Sequence, residues 1–228
     1  MKDQVAEEIK VRRLVESLRW TLWVLLIAVV SGALVLWVRE RRSGLNEKAF
    51  ALLFESEQML SPKAEDIKYT EVATWDDVKK KKFQDGLESV VKQYPDSVAA
   101  ALAGLHMGRF QYSLGAFEAA EKNFQSVIQS FKPNVPEQWA IVSMAYEGLA
   151  STHESRNNFE KASEVFSAAT ALKLNPLKPL AYLGLGRNLE KLGKNSEART
   201  AYEKLIKEYP SSEYEKRARA LLALTPQG

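Results

Sequence analysis

The chain has 228 residues, 46% of them hydrophobic and 27% charged, with a formal net charge of +3. That mix suits one membrane anchor plus one packed domain, and so small a net charge excludes a broad basic footprint for nucleic acid. There is no cysteine, which excludes disulfides, cysteine–zinc sites, a thiol nucleophile and a lipid-modified cysteine anchor.

The first element is a short charged tail, residues 1–19. Residues 20–38 follow as WTLWVLLIAVVSGALVLWV, without one charged side chain. As a helix this run is roughly 28 Å long, close to the thickness of the hydrocarbon core. Trp20, Trp23 and Trp37 stand toward its ends, where indole rings favour the headgroup region. A cleaved signal peptide would carry about 7–15 apolar residues and a small-residue cleavage site. This run is longer and ends in Arg39-Glu40-Arg41-Arg42, so the sequence predicts a retained single transmembrane helix. Ser31, Gly32 and Ala33 read as ordinary membrane-helix composition, or as a place where a second helix comes close. Flanking charge barely sets the orientation: Lys2, Lys10, Arg12, Arg13 and Arg19 precede the span, and Arg39, Arg41, Arg42 and Lys48 follow it.

Residues 39–82 are expected to hold a juxtamembrane helix over 44–60 and a loop over 61–76, opened by Ser61-Pro62. A second helix is expected over 79–94, stopped at Tyr94-Pro95. Its start is the one dense basic run, Lys79-Lys80-Lys81-Lys82. The plain reading is a solvated helix end; the functional one is contact with anionic lipid or an acidic partner. Glu65-Asp66 and Asp76-Asp77 read as loop or N-cap acids, because the spacing of a calcium loop is missing.

From residue 83 to the end the pattern repeats. Gly108, Ala120 and Phe124 return at the same intervals as Ala150, Ala162 and Phe166, and again as Gly186, Ala198 and Tyr202. Each set is small, small, then aromatic. Small residues on two antiparallel helices let their backbones approach, and the aromatic one turn along fills the space against the next hairpin. Between the small residues lie Gly115-Ala116-Phe117, Asn157-Asn158-Phe159 and Gly193-Lys194-Asn195, whose Gly and Asn suit the left-handed residue that ends a helix. Leu87, Val90 and Pro95 form an earlier half-repeat, and Tyr94-Pro95-Asp96-Ser97 is echoed by Tyr209-Pro210-Ser211-Ser212.

Tyr182, Leu185, Gly186, Ala198, Tyr202 and Pro210, with the segment 117–124, resemble the tetratricopeptide repeat family. The steps between hairpins are 42 residues from Ala120 to Ala162 and 36 from Ala162 to Ala198, against about 34 in that family. The extra residues near Pro133 are expected to lengthen one connection. Asn195 stands where an aromatic is usual. The fold class that follows is all-α: an N-terminal transmembrane helix, then an α-solenoid of such hairpins over 83–228, closed by a C-terminal capping helix. The whole layout also resembles the YfgM-like proteins, ancillary subunits of the bacterial SecYEG translocon. That resemblance implies a bacterial inner-membrane protein with its N-terminus in the cytoplasm and its repeats in the periplasm. It implies translocon or chaperone components as partners.

In such a stack the first helix of each hairpin lines the concave face. Large polar residues there that packing does not need are Arg109, Tyr112, Glu147, Glu154, Arg187, Glu190 and Lys191, the candidate partner-binding set. Leu105 and Leu183 stand among them, where repeats that clamp a terminal carboxylate carry Lys or Asn. The mixed trough fits an extended or helical protein segment better than a small molecule.

Chemistry has few candidates. Ser89 and Lys92 have the spacing of a serine–lysine acyl hydrolase, without its companion motifs. Gly184-Leu185-Gly186 begins a phosphate-loop pattern that fails at Leu189 and reads as packing. His106 and His153 sit in different helices with no second ligand in register, so each reads as a satisfied or surface histidine and no metal or cofactor is expected. The function expected is a membrane-tethered protein–protein interaction scaffold rather than an enzyme. A serine–lysine acyl hydrolase and the same scaffold facing the cytoplasm are the alternatives. The sequence names neither the partner nor the oligomeric state.

Overall fold

The computed structural model describes Ser31 and residues 44–59, 69–132 and 135–227. The chain divides into two compact units, Met1–Glu47 and Lys48–Gly228. In the first unit the described residues, Ser31 and 44–47, are helical. The expected tail, the span over 20–38 apart from Ser31, the cluster Arg39-Glu40-Arg41-Arg42 and Pro133 lie outside the described residues. So does most of the expected loop, up to residue 68. Among the described residues there is no strand, and no helix is long and apolar enough to cross a membrane.

The second unit begins with α1, residues 48–59 of a helix. A 3-10 turn, η1, covers Tyr69–Thr74 inside the expected loop. The helices α2 (Asp77–Gln93), α3 (Val98–Ser113), α4 (Phe117–Gln129), α5 (Gln138–Ser155) and α6 (Phe159–Ala171) follow. Then come α7 (Lys178–Lys191), α8 (Asn195–Glu208) and α9 (Glu215–Leu224). The repeat spacing marks the packed chain from Phe83, but Ala49 and Leu53 of α1 and Val72 of η1 join Phe83, Leu87, Val90 and Phe110 in one core cluster. The packed unit therefore takes in residues well before 83.

Local sequence explains the helix boundaries. Asp76 caps α2 by accepting from the Lys79 backbone N–H at 2.7 Å, which fits its reading as an N-cap acid. Ser97 caps α3 by accepting from Ala100 N–H at 3.0 Å. The three inter-helix turns share one geometry. Gly115, Asn157 and Gly193 have φ of 73°, 56° and 72°. The next residue in each turn donates its N–H five residues back: Ala116 to Gln111, Asn158 to His153 and Lys194 to Leu189, each at 2.9 Å. This double-bonded left-handed stop satisfies carbonyls that the helix end would leave open. Asn157 adopts the region at a cost that glycine avoids.

The second helix of each hairpin buries one stripe at i, i+4, i+7. The stripes are Phe83, Leu87 and Val90 on α2; Ala120, Phe124 and Val127 on α4; Ala162, Phe166 and Ala169 on α6; and Ala198, Tyr202 and Leu205 on α8. Ala120, Ala162 and Ala198 have no exposed surface, as small residues at close helix contacts should. The aromatic then meets glycine. A Cβ on Gly108 or Gly148 would come within 2.5 Å of the Phe124 ring, and one on Gly186 within 2.2 Å of Tyr202. Phe124 thus wedges between α3 and α5, binding its own hairpin to the next. Phe166 does the same against Gly184 of α7. Successive helices pack pairwise along the chain, and the first helices α3 and α5, and α5 and α7, also touch. The connection from Gln129 to Gln138 is longer than the one from Ala171 to Lys178, as the wider repeat step requires.

Candidate functional site

The seven candidate residues stand on α3, α5 and α7, of which α3 and α5, and α5 and α7, touch, and most of them are bonded within the chain. The Tyr112 hydroxyl lies 2.8 Å from Ser155 Oγ, tying α3 to α5, and its ring meets Phe117 edge-on. Glu154 of α5 accepts from Arg187 at 3.1 Å and from Asn188 Nδ2 at 2.6 Å, tying α5 to α7. Glu190 accepts from the Tyr202 hydroxyl at 2.9 Å and from the Thr225 hydroxyl, so it joins α7, α8 and the end of α9. Burial, then the bond and the charge of Glu190, push the Tyr202 phenol up, so it stays a neutral donor. Glu147 accepts from Ser151 within its own helix at 3.1 Å. Arg109 is half-buried and Lys191 is exposed. Leu105 and Leu183 are 2% and 1% exposed, so at these positions the surface offers core, not charge.

These bonds make the surface a ladder of cross-helix polar contacts with few idle ends. Two buried atoms near the Glu154 junction, Arg187 Nε and Asn188 Oδ1, have no partner. The pair Glu154–Arg187 stands with its side chains 26% and 35% exposed. Pairs so exposed contribute about 0–1 kcal/mol.

Sequence reasoning missed the polar junction at the first hairpin. His106 of α3 is 5% exposed. Its Nε2 lies 2.9 Å from Glu57 Oε1 of α1, and its Nδ1 is hydrogen-bonded to the Tyr69 hydroxyl of η1. A carboxylate only accepts, so Nε2 carries the proton; in the neutral ring Nδ1 then accepts from Tyr69. Burial pushes the Tyr69 phenol up, against the pull of Arg109 and with help from Glu57. His106 is thus a satisfied core histidine. His153 of α5 is 3% exposed, its Nδ1 has no partner, and Glu121 stands 3.9 Å from its Nε2. Among the described residues no group of His, Cys, Asp or Glu could hold a metal ion.

The remaining candidates resolve locally. Ser89 Oγ accepts from Gln93 Nε2 at 2.6 Å, and Lys92 is exposed on the same helix. In the lysine run, Lys79 Nζ sits 3.9 Å from the centre of the Trp75 ring, and Lys80 is 3.9 Å from Asp77. Lys81 and Lys82 are exposed. Gly184 and Gly186 seat aromatic rings, which is the packing role expected of them. A separate open groove of about 730 Å³ runs between α6 and α8, floored by Tyr182, Leu185 and Leu189 of α7; none of the seven candidates lines it.

No curated protein matches the chain. Residues 180–212, which hold most of α7, all of α8 and the Tyr209-Pro210 corner, match the model of the tetratricopeptide repeat. The match supports, for the last hairpin, the repeat that the spacing of Tyr182, Gly186, Ala198, Tyr202 and Pro210 marks, and with it a protein–protein interaction scaffold.

Proposed function

We propose that the chain is a membrane-tethered interaction scaffold. In this reading residues 20–38 anchor it in a bacterial inner membrane, residues 1–19 stay in the cytoplasm, and the helical unit works in the periplasm beside secretion or chaperone components. The anchor rests on nineteen uncharged residues with tryptophan toward both ends. The side of the membrane rests on the resemblance to YfgM-like proteins more than on flanking charge. The single observation that carries the scaffold reading is the run of first helices α3, α5 and α7, which touch in sequence. They bring Tyr112, Glu154 and Arg187 onto one surface from three hairpins. A partner segment lying across them meets aromatic and guanidinium groups, the side chains that most often dominate interfaces.

The test is crosslinking followed by co-purification from membranes. Tyr112→Ala and Arg187→Ala should each lose the partner while still folding; truncations at such positions commonly cost about 2 kcal/mol or more of binding. A variant with Lys79, Lys80, Lys81 and Lys82 all changed to Gln should keep it in moderate salt, because exposed charge is screened over about 8 Å. Loss of the partner only in the lysine variant would move the site to the start of α2. The serine–lysine hydrolase remains the second class. Labelling of Ser89 by an active-site serine probe would favour it, although Ser89 Oγ is already bonded to Gln93.

A further inference from the structure

The position just after the first small residue of each second-helix stripe is filled differently on α4, α6 and α8. On α4 it is Glu121, which accepts from Arg156 of the next hairpin at 3.1 Å. On α8 it is Arg199, which donates to the carbonyls of Leu222 and Thr225 at the end of α9, at 3.0 and 2.9 Å. On α6 it is Ser163, which turns inward and donates to Glu160 O of its own helix at 2.7 Å. Leu192 holds the register position of Arg156 in the α7–α8 turn, so the strut is missing from both sides. Further along the same face, Gln125 and Ile128 of α4 correspond to Ser167 and Thr170 of α6. Ser163, Ser167 and Thr170 therefore wall the open groove of about 730 Å³ whose floor is Tyr182, Leu185 and Leu189 and whose far wall is α8.

Four charged side chains rim this groove: Glu164 on α6, with Lys194, Glu197 and Lys204 at and along α8. All four are exposed, and no ion pair among the described residues uses any of them. In repeat register Glu164 stands level with Thr200. Along the groove the charges thus run Lys194, Glu197, Glu164, Lys204, acidic in the middle and basic at each end. On the α3–α5–α7 surface, by contrast, Glu154 and Arg187 are already spent on each other.

We propose that the α6–α8 groove docks one helix of a protein partner, with an apolar stripe toward α7, a basic group at its middle and acidic groups at its ends. The walls run over residues 163–171 and 194–204, roughly 12–15 Å, or two to three helical turns. An extended segment would bury main-chain carbonyls that need donors. Three of the four serine and threonine hydroxyls on the walls, those of Ser163, Thr170 and Thr200, have their hydrogens committed to their own helices. A helix brings its main-chain bonds with it, and the small wall residues let it sit close. The groove is a second docking surface, and its test does not depend on the first.

The chain has no cysteine, so Ser167→Cys puts a single exposed thiol in the groove of the full chain. The probe is a synthetic helical peptide of about three turns, with leucine at i, i+4 and i+7, lysine at its middle and glutamate at both ends. Its twin keeps the leucines and exchanges the charges. The first peptide should slow labelling at 167 by a thiol reagent and leave Lys191→Cys, exposed on α7, unaffected. Equal protection should need about ten-fold more of the twin. Reversing the rim, with Glu164→Lys, Glu197→Lys, Lys194→Glu and Lys204→Glu together, should invert that preference, and none of the four side chains is needed by the core. No protection by either peptide, equal protection by both, or equal protection at 191 would overturn the proposal. So would protection at 167 that grows with protein concentration when no peptide is present, because the occupant would then be a second copy of this chain.

Discussion

At the C-terminal end of the packed unit, α7 and α8 are joined through Gly193 and lock by setting the Tyr202 ring against Gly186. At the N-terminal end, α1 and α2 are joined through η1, and the close contact is Ser56 Oγ over Gly86. The two ends then turn the same corner. Tyr94 and Tyr209 have φ, ψ of −132°, 51° and −133°, 55°, and each donates its N–H four residues back at 2.9 Å. The difference shows what the short left-handed turn contributes. Where it is present, a glycine and an aromatic suffice to register two helices. Where it is replaced by a longer connection, side-chain hydrogen bonds of His106 with Glu57, which accepts, and with the Tyr69 hydroxyl tie the pieces together instead.

The largest difference between the ends should appear on giving each glycine a methyl group. A Cβ at 186 would meet Tyr202 Cε1 at 2.2 Å, and that ring is fully buried with its hydroxyl committed to Glu190. Gly186→Ala should therefore overpack the contact and cost about 1–3 kcal/mol. A Cβ at 86 would meet Ser56 Oγ at 2.3 Å and Ser56 Cβ at an ordinary 3.5 Å, and a serine hydroxyl can turn away. The gain in helix propensity, about 1 kcal/mol, should roughly offset that shift, leaving Gly86→Ala within about 0.5 kcal/mol of the parent. Denaturant unfolding of both variants checks the contrast. Equal losses would mean that the first hairpin is locked as tightly as the last.

The last end was the more legible in the sequence, for a physical reason. Its turn, small residues, aromatic and proline recur at fixed intervals, and periodicity is what a single sequence exposes. The same intervals located the left-handed residues 115, 157 and 193 and the buried alanines 120, 162 and 198. Gly148 and Gly184 were not found as seats for Phe124 and Phe166, because each contact crosses to the preceding hairpin and lies off the small–small–aromatic register. The Glu57–His106–Tyr69 junction was invisible because its members lie 49 and 37 residues apart with no repeat to relate them. Of the candidate surface, the helices were legible but the bonding was not. Tyr112, Glu154, Arg187 and Glu190 have the spacing of idle groove residues, and their partners Ser155, Asn188, Tyr202 and Thr225 come from neighbouring elements.

The two corners sharpen the comparison at a smaller scale. After the first, Ser97 accepts from Ala100 N–H and donates to Tyr94 O at 2.8 Å. After the second, the equivalent Ser212 has a buried Oγ without a partner. Ser97→Ala should cost about 1 kcal/mol, the usual value of an N-cap side chain. Ser212→Ala should be neutral or slightly stabilising, because it removes a desolvated hydroxyl that returns no bond. Unfolding midpoints of the two variants measured together check this. A loss at Ser212 equal to that at Ser97 would mean that the second hydroxyl is bonded in solution.

The smallest effect concerns the histidine that the first hairpin's arrangement does not serve. His106 has partners on both ring nitrogens, whereas His153 has none on Nδ1 and only a distant Glu121 beyond Nε2. Burial lowers the His153 pKa below its ordinary 6.5; Glu121 and Glu164 oppose this, while Lys161 and Arg156 reinforce it. A histidine whose pKa is lower folded than unfolded binds its proton more readily in the unfolded chain. Its contribution to stability is complete above the ordinary value and is lost as the pH falls below 6.5 toward the folded value. Between about pH 7.5 and pH 5.5 the parent should therefore lose more stability than His153→Gln, which cannot take up the proton. Because opposing carboxylates offset part of the burial, the difference should be smaller than the loss expected at Gly186. It is read by comparing the two unfolding midpoints at each pH, with every other residue the same in both proteins. Parallel behaviour of parent and variant would mean that water or a shifted Glu121 reaches His153 Nδ1, giving the second histidine the partner that Tyr69 gives the first.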